Sequence, residues 1–350
     1  MRARIVDWSL LILVLLGVVT GLCSFLVGDP QGRLLFIAHG ALGLALVGVL
    51  VAKLRRVTPL VISSRHWRLA MVAGVLTAIA ASVTVGLGLW WVVVQSPIDY
   101  PNGMILHTTA GFVLLGACLW HLLLRYRPLT QRDVRDRRSL LQLMAILVGG
   151  GALWAGVETA QHAVGTPGSR RRFTGSRLAS DVVGEPFPVT MWMLDRPGPV
   201  DFEAYVLEVS GVVNSPLRFD IAELSQLAQS TLRATLDCTG GWYSEQVWSG
   251  ISVGELLAQA QPQATARFVR FRSVTGYRWS LPLAEAANTI LATHVGNAAL
   301  SHGHGAPLRL VAPGRRGFQW VKWVAAVEVL ERPDVGQWAA IFTSGLDSIA

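Results

Sequence analysis

Five long apolar runs fill the first 165 residues, at about 8–28, 34–52, 69–94, 105–124 and 140–160. A helix needs roughly 20 apolar residues to cross the hydrocarbon core of a bilayer, so each run is long enough to span it. The first run lacks a small-residue cleavage site and four more runs follow it, which argues against a removable signal peptide. We therefore predict a polytopic membrane protein whose first 165 residues form a bundle of five transmembrane helices.

The charges between these runs predict the orientation of the protein in the membrane. Residues 53–68 and 125–138 are rich in lysine and arginine, whereas the loops "GDPQG" and "QSPIDYPNG" are neutral to acidic. The positive-inside rule places the N-terminus and both basic loops in the cytoplasm. The C-terminal domain of this multi-pass cell (inner) membrane protein is then periplasmic or extracellular. The net charge of +8 thus reflects topology, and no nucleic-acid partner is predicted. The basic stretch "SRRRFTGSR", residues 169–177, departs from this rule because it follows the fifth span on the outer side.

A twin arginine precedes the fifth span, in "DRRSLLQL". Arg137 and Arg138 before a weakly apolar segment resemble a signal of the twin-arginine route, which exports folded proteins. The alternative is that they are two more positive-inside residues.

Four histidines lie at or near the ends of the apolar runs. The predicted topology puts His39 and His107 at similar depth near the outer face, and His66 and His121 near the inner face. His107 and His121 are about 21 Å apart along one helix and on nearly the same side of it. Ionisable residues in a membrane are costly and suggest function, and two level pairs suit two stacked b haems with paired imidazole ligands. The alternative is interfacial histidines that hydrogen-bond to neighbouring helices or headgroups.

This arrangement resembles the small di-haem membrane cytochromes b, over about residues 8–125. The resemblance implies two haem b groups and a membrane quinone as the partner that exchanges electrons with them.

Beyond a linker at residues 166–184, the pattern changes to short alternating runs with two helical patches. Residues 185–350 are predicted to form a soluble, β-rich α+β domain. Its one cysteine, Cys238, has no zinc-ligand spacing around it, and neither GxGxxG nor a P-loop occurs. The segment 294–323 gathers cations and glycines that could cradle an anionic, phosphate-bearing ligand, although a solvated basic face is the alternative.

The motifs "LDCTGGWYSEQVWSG", "SVTGYRWSLPL", "HGAPLRLV" and "GFQWVKW" follow one another in order over about residues 185–332. In this they resemble the molybdenum-binding domain of the sulfite-oxidase family. The resemblance implies a molybdopterin cofactor whose molybdenum (Mo) is ligated by the Cys238 thiolate. It further implies that the pterin and its phosphate are held by His304, Arg309 and Lys322. Arg315, from the cation-rich segment 294–323, is a further candidate for binding the cofactor.

The sequence departs from sulfite oxidases after the ligand loop, where aromatic and neutral residues replace arginine. This favours a neutral, sulfoxide-like substrate and resembles the methionine-sulfoxide reductase branch of the family. Tyr243 and Tyr277 are candidate donors lining the site.

The sequence therefore predicts a membrane-bound molybdenum oxidoreductase that relays electrons between quinone, two b haems and an outward-facing centre for oxygen-atom transfer. Reduction of a substrate at molybdenum is favoured over an oxidase that feeds electrons to quinone. Two further alternatives are a haem-only electron carrier with a non-catalytic soluble domain, and a binding or sensory module that kept the fold without metal. The substrate, the quinone and the oligomeric state are not determined by the sequence.

Overall fold

A computed structural model describes residues 1–63, 67–94, 101–179, 186–192 and 194–346. The chain divides into two compact units, Met1–Leu178 with Gly240–Trp242 and Ala179–Thr239 with Tyr243–Ala350. The α-helices are α1 Ala3–Ser24, α2 Arg33–Ser63, α3 Leu69–Val93, α4 Gly103–Arg125, α5 Gln131–Val134, α6 Arg137–Val164, α7 Ile221–Gln226, α8 Val253–Ala260, α9 Leu283–Ala286 and α10 Gln337–Thr343. The strands are β1 Arg177–Leu178, β2 Val206–Gly211, β3 Leu217–Asp220, β4 Gln229–Asp237, β5 Trp242–Ser252, β6 Phe268–Ser273, β7 Arg278–Pro282, β8 Ile290–Val295, β9 Ala298–Ala299, β10 Arg309–Val311 and β11 Val324–Leu330.

Helices α1, α2, α3, α4 and α6 correspond to the five apolar runs, and each is long and apolar enough to cross a membrane. The largest difference from the sequence prediction is α2, which continues to Ser63 instead of ending near residue 52. Lysine and arginine are good helix formers, so the basic residues 53–56 extend the helix past its apolar run. The expected helical region is therefore present, with longer helices than the apolar runs alone define.

The helical unit has its core where α1, α2, α3 and α4 meet. Leu13, Leu46, Val49 and Leu114 are among the buried residues of that cluster. Other large apolar side chains point outward; Leu123, for example, is 83% exposed. Apolar side chains on the outer surface are typical of helices that face lipid hydrocarbon, in which the backbone must satisfy its own hydrogen bonds.

The second unit is built on two sheets, and the prediction of a β-rich domain with short helices is confirmed. One sheet has the strand order β3-β2-β11-β6-β7, in which β11 runs parallel to β2 and antiparallel to β6. In the other, the long β5 pairs with β4 and β8, and β8 pairs with β9 and β10. Alternating burial along β2 and β6 follows from the period of two of a strand.

Buried tryptophans fill the domain between its strands. Trp248, Trp320 and Trp323 are among the largest fully buried side chains, and the rings of Trp248 and Trp320 meet edge to face with their centroids 5.5 Å apart. Trp248 lies on β5, so this aromatic core holds β5 in place. Strand β5 pairs with β4, and the candidate ligand Cys238 directly follows β4.

Candidate active site

Cys238 is the first residue after β4, in the turn that leads into β5. The last pair of the β4–β5 ladder joins Asp237 to Tyr243, so the turn is anchored on both sides. The thiol is half-buried, and its Sγ lies 3.5 Å from Oγ1 of Thr190. Cys23, Cys118 and Cys238 all lie in the described part of the chain and form no disulfide. A reduced, partly accessible thiol at a strand end has the chemistry required of a metal ligand.

Arg316 fixes the backbone of this turn from a distant part of the sequence. Its guanidinium is buried, and Nη2 donates a hydrogen bond to the carbonyl oxygen of Cys238 over 3.2 Å. The same Nη2 lies 3.6 Å from Oδ1 of the buried Asp237. Gly317 permits this approach, since a Cβ placed there would lie 3.3 Å from the Cα of Cys238. The segment "GRRGF" thus packs directly against the turn that presents the thiol.

Arg309, on β10, is a buried cation beside an aromatic wall. Its Nη1 donates to the carbonyl oxygen of His304 over 2.9 Å, and its guanidinium carbon lies 5.9 Å and 5.7 Å from the ring centroids of Phe187 and Trp248. Burial lowers the pKa of Arg309 to about 10, although the nearby Cys238 thiol opposes this shift. Its Nε has no hydrogen-bond partner among the described residues. A buried donor of this kind costs free energy unless a ligand satisfies it.

Lys322 links two segments that are far apart in the sequence, those of Thr190 and Gly303. Its Nζ donates to the carbonyl oxygens of Gly303 at 2.6 Å and Thr190 at 2.9 Å. Burial and the positive charge of Arg309 lower the pKa of Lys322 to about 7, whereas Cys238 and Asp195 raise it. Thr190 therefore links Lys322 to the Cys238 thiol, because its carbonyl oxygen accepts from Nζ and its Oγ1 lies 3.5 Å from Sγ.

His304 lies beside this cluster with both ring nitrogens engaged. Nε2 lies 3.0 Å from the carbonyl oxygen of Phe187 and Nδ1 lies 2.9 Å from Oγ of Ser301. A carbonyl oxygen only accepts, so Nε2 carries a proton, whereas the Ser301 hydroxyl can either donate to Nδ1 or accept from it. In this state the ring orders the segments that carry Phe187 and Ser301, and direct contact with a phosphate would require one of these bonds to be exchanged.

The two tyrosines predicted at the site occupy different environments. Tyr277 is buried, and its hydroxyl donates to the carbonyl oxygen of Phe318 over 2.6 Å. Burial raises its pKa far above the usual range, and the negative charge of Asp195 adds to the effect. Tyr243 is half-buried on β5, opposite Asp237. Of the two, Tyr243 is the more accessible.

Arg315 lies next to Arg316 in the sequence and faces a different partner. Its Nε and Nη2 donate to Oε1 and Oε2 of Glu285, each over 2.5 Å, and this ion pair raises the pKa of Arg315. Sequence reasoning placed Arg315 and Arg316 together in the cation-rich segment and selected only Arg315 for the cofactor, and it missed Thr190 and Gln319. The side chain of Gln319 is buried and its Nε2 has no hydrogen-bond partner in the described part. The motif "GRRGFQW" indicates that this segment belongs to the site. The positions of Glu285 and Asp237 determine which of the two arginines contacts the turn that carries Cys238.

In the helical unit, the rings of His39 and His107 lie with their centroids 5.9 Å apart and their planes nearly perpendicular. Nδ1 of His107 lies 2.8 Å from the carbonyl oxygen of Thr84, and Nδ1 of His39 lies 2.9 Å from Oγ1 of Thr20. Metal-ligating histidines usually donate their second ring N–H to such an acceptor, which orients the ring and leaves Nε2 for the metal. The structure thus brings together the outer pair of predicted haem ligands.

A cavity of about 250 Å³, lined mainly by apolar residues, opens beside these two rings. Gly17 and Gly43 line it, and a Cβ at either glycine would meet no atom within 4 Å, so the space extends to the helix backbones. Space of this kind suits a large flat ligand such as a porphyrin. His121 lies on α4, close to Gly74 of α3, where a Cβ would be 3.1 Å from its Cε1. His66, its predicted partner, lies outside the described residues, so the second haem site stays a prediction.

Residues 194–338 match the family described as the oxidoreductase molybdopterin binding domain. The chain is 29% identical to the protein-methionine-sulfoxide reductase catalytic subunit MsrP of Gluconobacter oxydans, over 45% of this chain and 55% of that relative. It is also 29% identical to MsrP of Xanthomonas axonopodis pv. citri, over 58% of this chain and 73% of that relative. A nitrate reductase [NADPH] of Fusarium oxysporum is 25% identical over 41% of this chain and 19% of its own length.

Proposed function

We propose that this enzyme, whose residues 194–338 form a molybdopterin-binding oxidoreductase domain of the sulfite-oxidase family, reduces a sulfoxide-like substrate with electrons from a membrane quinone. One observation carries the proposal: Thr190 links the thiol of Cys238, which lies 3.5 Å from its Oγ1, to the half-buried cation Lys322, whose Nζ donates to its carbonyl oxygen over 2.9 Å. The similarity to two methionine-sulfoxide reductase catalytic subunits supports the choice of a sulfoxide.

The residues around Cys238 fit a molybdopterin chemically. A thiolate is a soft ligand that suits a molybdenum centre, and Arg309 offers a buried Nε donor with no partner among the described residues. Lys322 provides a second cation for the pterin phosphate, and Gln319 provides a second buried donor. A phosphate or pterin oxygen at this position would satisfy donors that otherwise remain desolvated and unbonded.

Each residue then has a separate task. Cys238 would ligate the metal, Arg309 and Lys322 would bind the anionic part of the cofactor, and Arg316 holds the turn that presents the thiol. Tyr243 is half-buried and is the better placed of the two tyrosines to meet a substrate. When bound, the molybdenum cofactor supplies transfer of one oxygen atom coupled to two electrons. The overall reaction converts a sulfoxide, two protons and two electrons into a thioether and water.

The electrons are proposed to come through the helical unit. His39 and His107 would hold one b haem in the apolar cavity beside them, because their Nδ1 atoms are already engaged and their rings are 5.9 Å apart. His66 and His121 would hold a second haem on the cytoplasmic side, where quinol would deliver its electrons. The five helices long and apolar enough to cross a bilayer would anchor the enzyme with its molybdenum domain in the periplasm.

Metal analysis combined with a reduced-minus-oxidised absorption spectrum of the detergent-purified chain tests the proposal first. We expect about one molybdenum and two b haems per chain, and quinol-dependent reduction of a methionine sulfoxide. Haem without molybdenum, after expression with adequate cofactor supply, would support the haem-only carrier instead. If the protein contains molybdenum and no haem, the electron relay is wrong and the helices serve only as a membrane anchor. Steady oxidation of a thioether coupled to quinone reduction, with no sulfoxide reduction, would support the oxidase alternative.

A further inference from the structure

The basic stretch 169–177 does not form a solvated face in the structure. Arg170 is exposed, but Arg171 is half-buried and Arg177 is buried. The ring of Phe173 packs edge to face on Phe36 of α2, with centroids 5.4 Å apart. The stretch therefore folds back onto the helices of its own unit, and its charge lies close to apolar helix surfaces.

Arg171 reaches the haem cavity proposed above. Its side chain lines that cavity together with Phe173, Thr174 and Gly175. Nη1 donates to the carbonyl oxygen of Gly168 over 2.9 Å, and Nη2 pairs with Oε1 of Glu158. Burial lowers the pKa of Arg171, whereas Glu158 raises it.

Arg177 adds a second cation at the same end of the cavity. Its guanidinium stacks on Trp91, 4.9 Å from the ring centroid, and donates to the backbone oxygen of that residue, which itself lines the cavity. Burial lowers the pKa of Arg177 to about 10, and the positive charge of Arg171 lowers it further. Its buried Nε has no hydrogen-bond partner among the described residues.

Counted over the described residues, the charges at this end of the cavity favour an anionic ligand. Arg171 and Arg177 are close enough to influence each other, and Arg33 contributes further positive charge. Among the described residues, Glu158 is the carboxylate that pairs with Arg171. Desolvated cations in excess of their counter-charges are costly unless an anion binds.

We propose that Arg171 and Arg177 bind the carboxylate groups of the porphyrin that His39 and His107 ligate. This rests on the proposed haem function and deepens it, since it assigns the basic linker to cofactor binding and orients the acidic edge of the porphyrin toward the linker. Guanidinium groups form strong, forked hydrogen bonds with carboxylates, and those bonds strengthen where water is excluded.

The test compares haem with haem dimethyl ester, in which both carboxylates are masked. The full-length chain is produced under haem limitation, purified in detergent and titrated with each compound, with absorption as the readout. We expect the wild type to bind haem at least about tenfold more tightly than the ester, the factor that one charged hydrogen bond supplies. Arg171→Gln should lower this ratio severalfold without abolishing it, since Arg177 remains, and Arg171→Lys should restore part of it.

Arg170→Gln is the matched control, because this neighbouring arginine is exposed and should keep the wild-type ratio. A ratio of one in the wild type itself would overturn the inference even if Arg171→Gln fails to fold. Haem uptake with an unchanged ratio in Arg171→Gln, together with loss of copurified phospholipid, would also overturn it and identify a lipid headgroup site. If the wild type takes up neither compound, the haem relay of the proposed function fails instead.

Discussion

The Nη2 atom of Arg316 donates a hydrogen bond over 3.2 Å to the carbonyl oxygen of Cys238, so the turn that presents the thiol is held by a residue far along the chain. Asp237, directly before Cys238, lies 3.6 Å from the same atom and is equally buried. Removing one partner of a buried ion pair leaves an uncompensated charge, which is much more costly than losing an exposed pair.

Arg316→Gln is expected to lower the free energy of unfolding of the molybdenum domain by about 3 kcal/mol and to reduce molybdenum content. Arg315→Gln is the control, since it breaks a pair that is about one-third exposed on each side chain and should cost about 1 kcal/mol or less. Denaturant titration and metal analysis of both variants measure the difference. Equal effects of the two substitutions would contradict the assignment of Arg316 as the residue that holds the turn.

Cys238→Ser should lose molybdenum and lower sulfoxide reduction by at least about 100-fold, the upper end of the loss when even an outer-shell partner of a metal is removed. A serine oxygen is a harder ligand than a thiolate and suits this metal less well. The haem spectrum should be unchanged, because the proposed haem ligands His39 and His107 lie on α2 and α4. Cys118→Ser on α4 serves as the comparison and should retain molybdenum. A Cys238→Ser chain with normal molybdenum content would contradict the ligand role.

Thr20→Val removes the hydroxyl that lies 2.9 Å from Nδ1 of His39. The imidazole then loses the group that orients it, and haem affinity should fall roughly 10- to 100-fold, as for other outer-shell partners of metal-bound histidine. Haem content and the width of the reduced absorption band report the change. Thr159→Val, an exposed threonine on α6 that bonds to its own helix, should behave as wild type. Unchanged haem binding in Thr20→Val would argue against His39 as a ligand.

Tyr277→Phe should destabilise the domain by about 1 kcal/mol, because the part-buried hydrogen bond to the carbonyl oxygen of Phe318 is lost. The KM for a sulfoxide should stay close to that of the wild type, since the hydroxyl is already committed to that oxygen. Tyr243→Phe, at the half-buried tyrosine, is expected to change kcat/KM more than stability. Chemical denaturation and steady-state kinetics on both variants separate the two roles. If Tyr277→Phe raises the KM for a sulfoxide and leaves the stability unchanged, Tyr277 contacts the substrate after all.

The distribution of apolar residues along the chain was sufficient to predict its division into a helical part and a β-rich part. Apolar runs of membrane length predict five helices, and the alternating runs after residue 185 predict a β-rich domain, because both periods are local properties of the backbone. The ordered motifs around Cys238 and "HGAPLR" likewise indicate the molybdopterin family. Such local signals also placed His39 and His107 at the same depth.

Only the tertiary structure decided which neighbouring side chains serve which site. Arg315 and Arg316 are chemically identical and adjacent, yet one pairs with Glu285 and the other with Asp237 and Cys238. The same holds for the basic linker, in which Arg170 faces outward while Arg171 lines the helical cavity. Composition and spacing fix the kind of residue available in a segment. The direction of each side chain depends on partners brought from distant parts of the chain, and that information arises only when the chain packs.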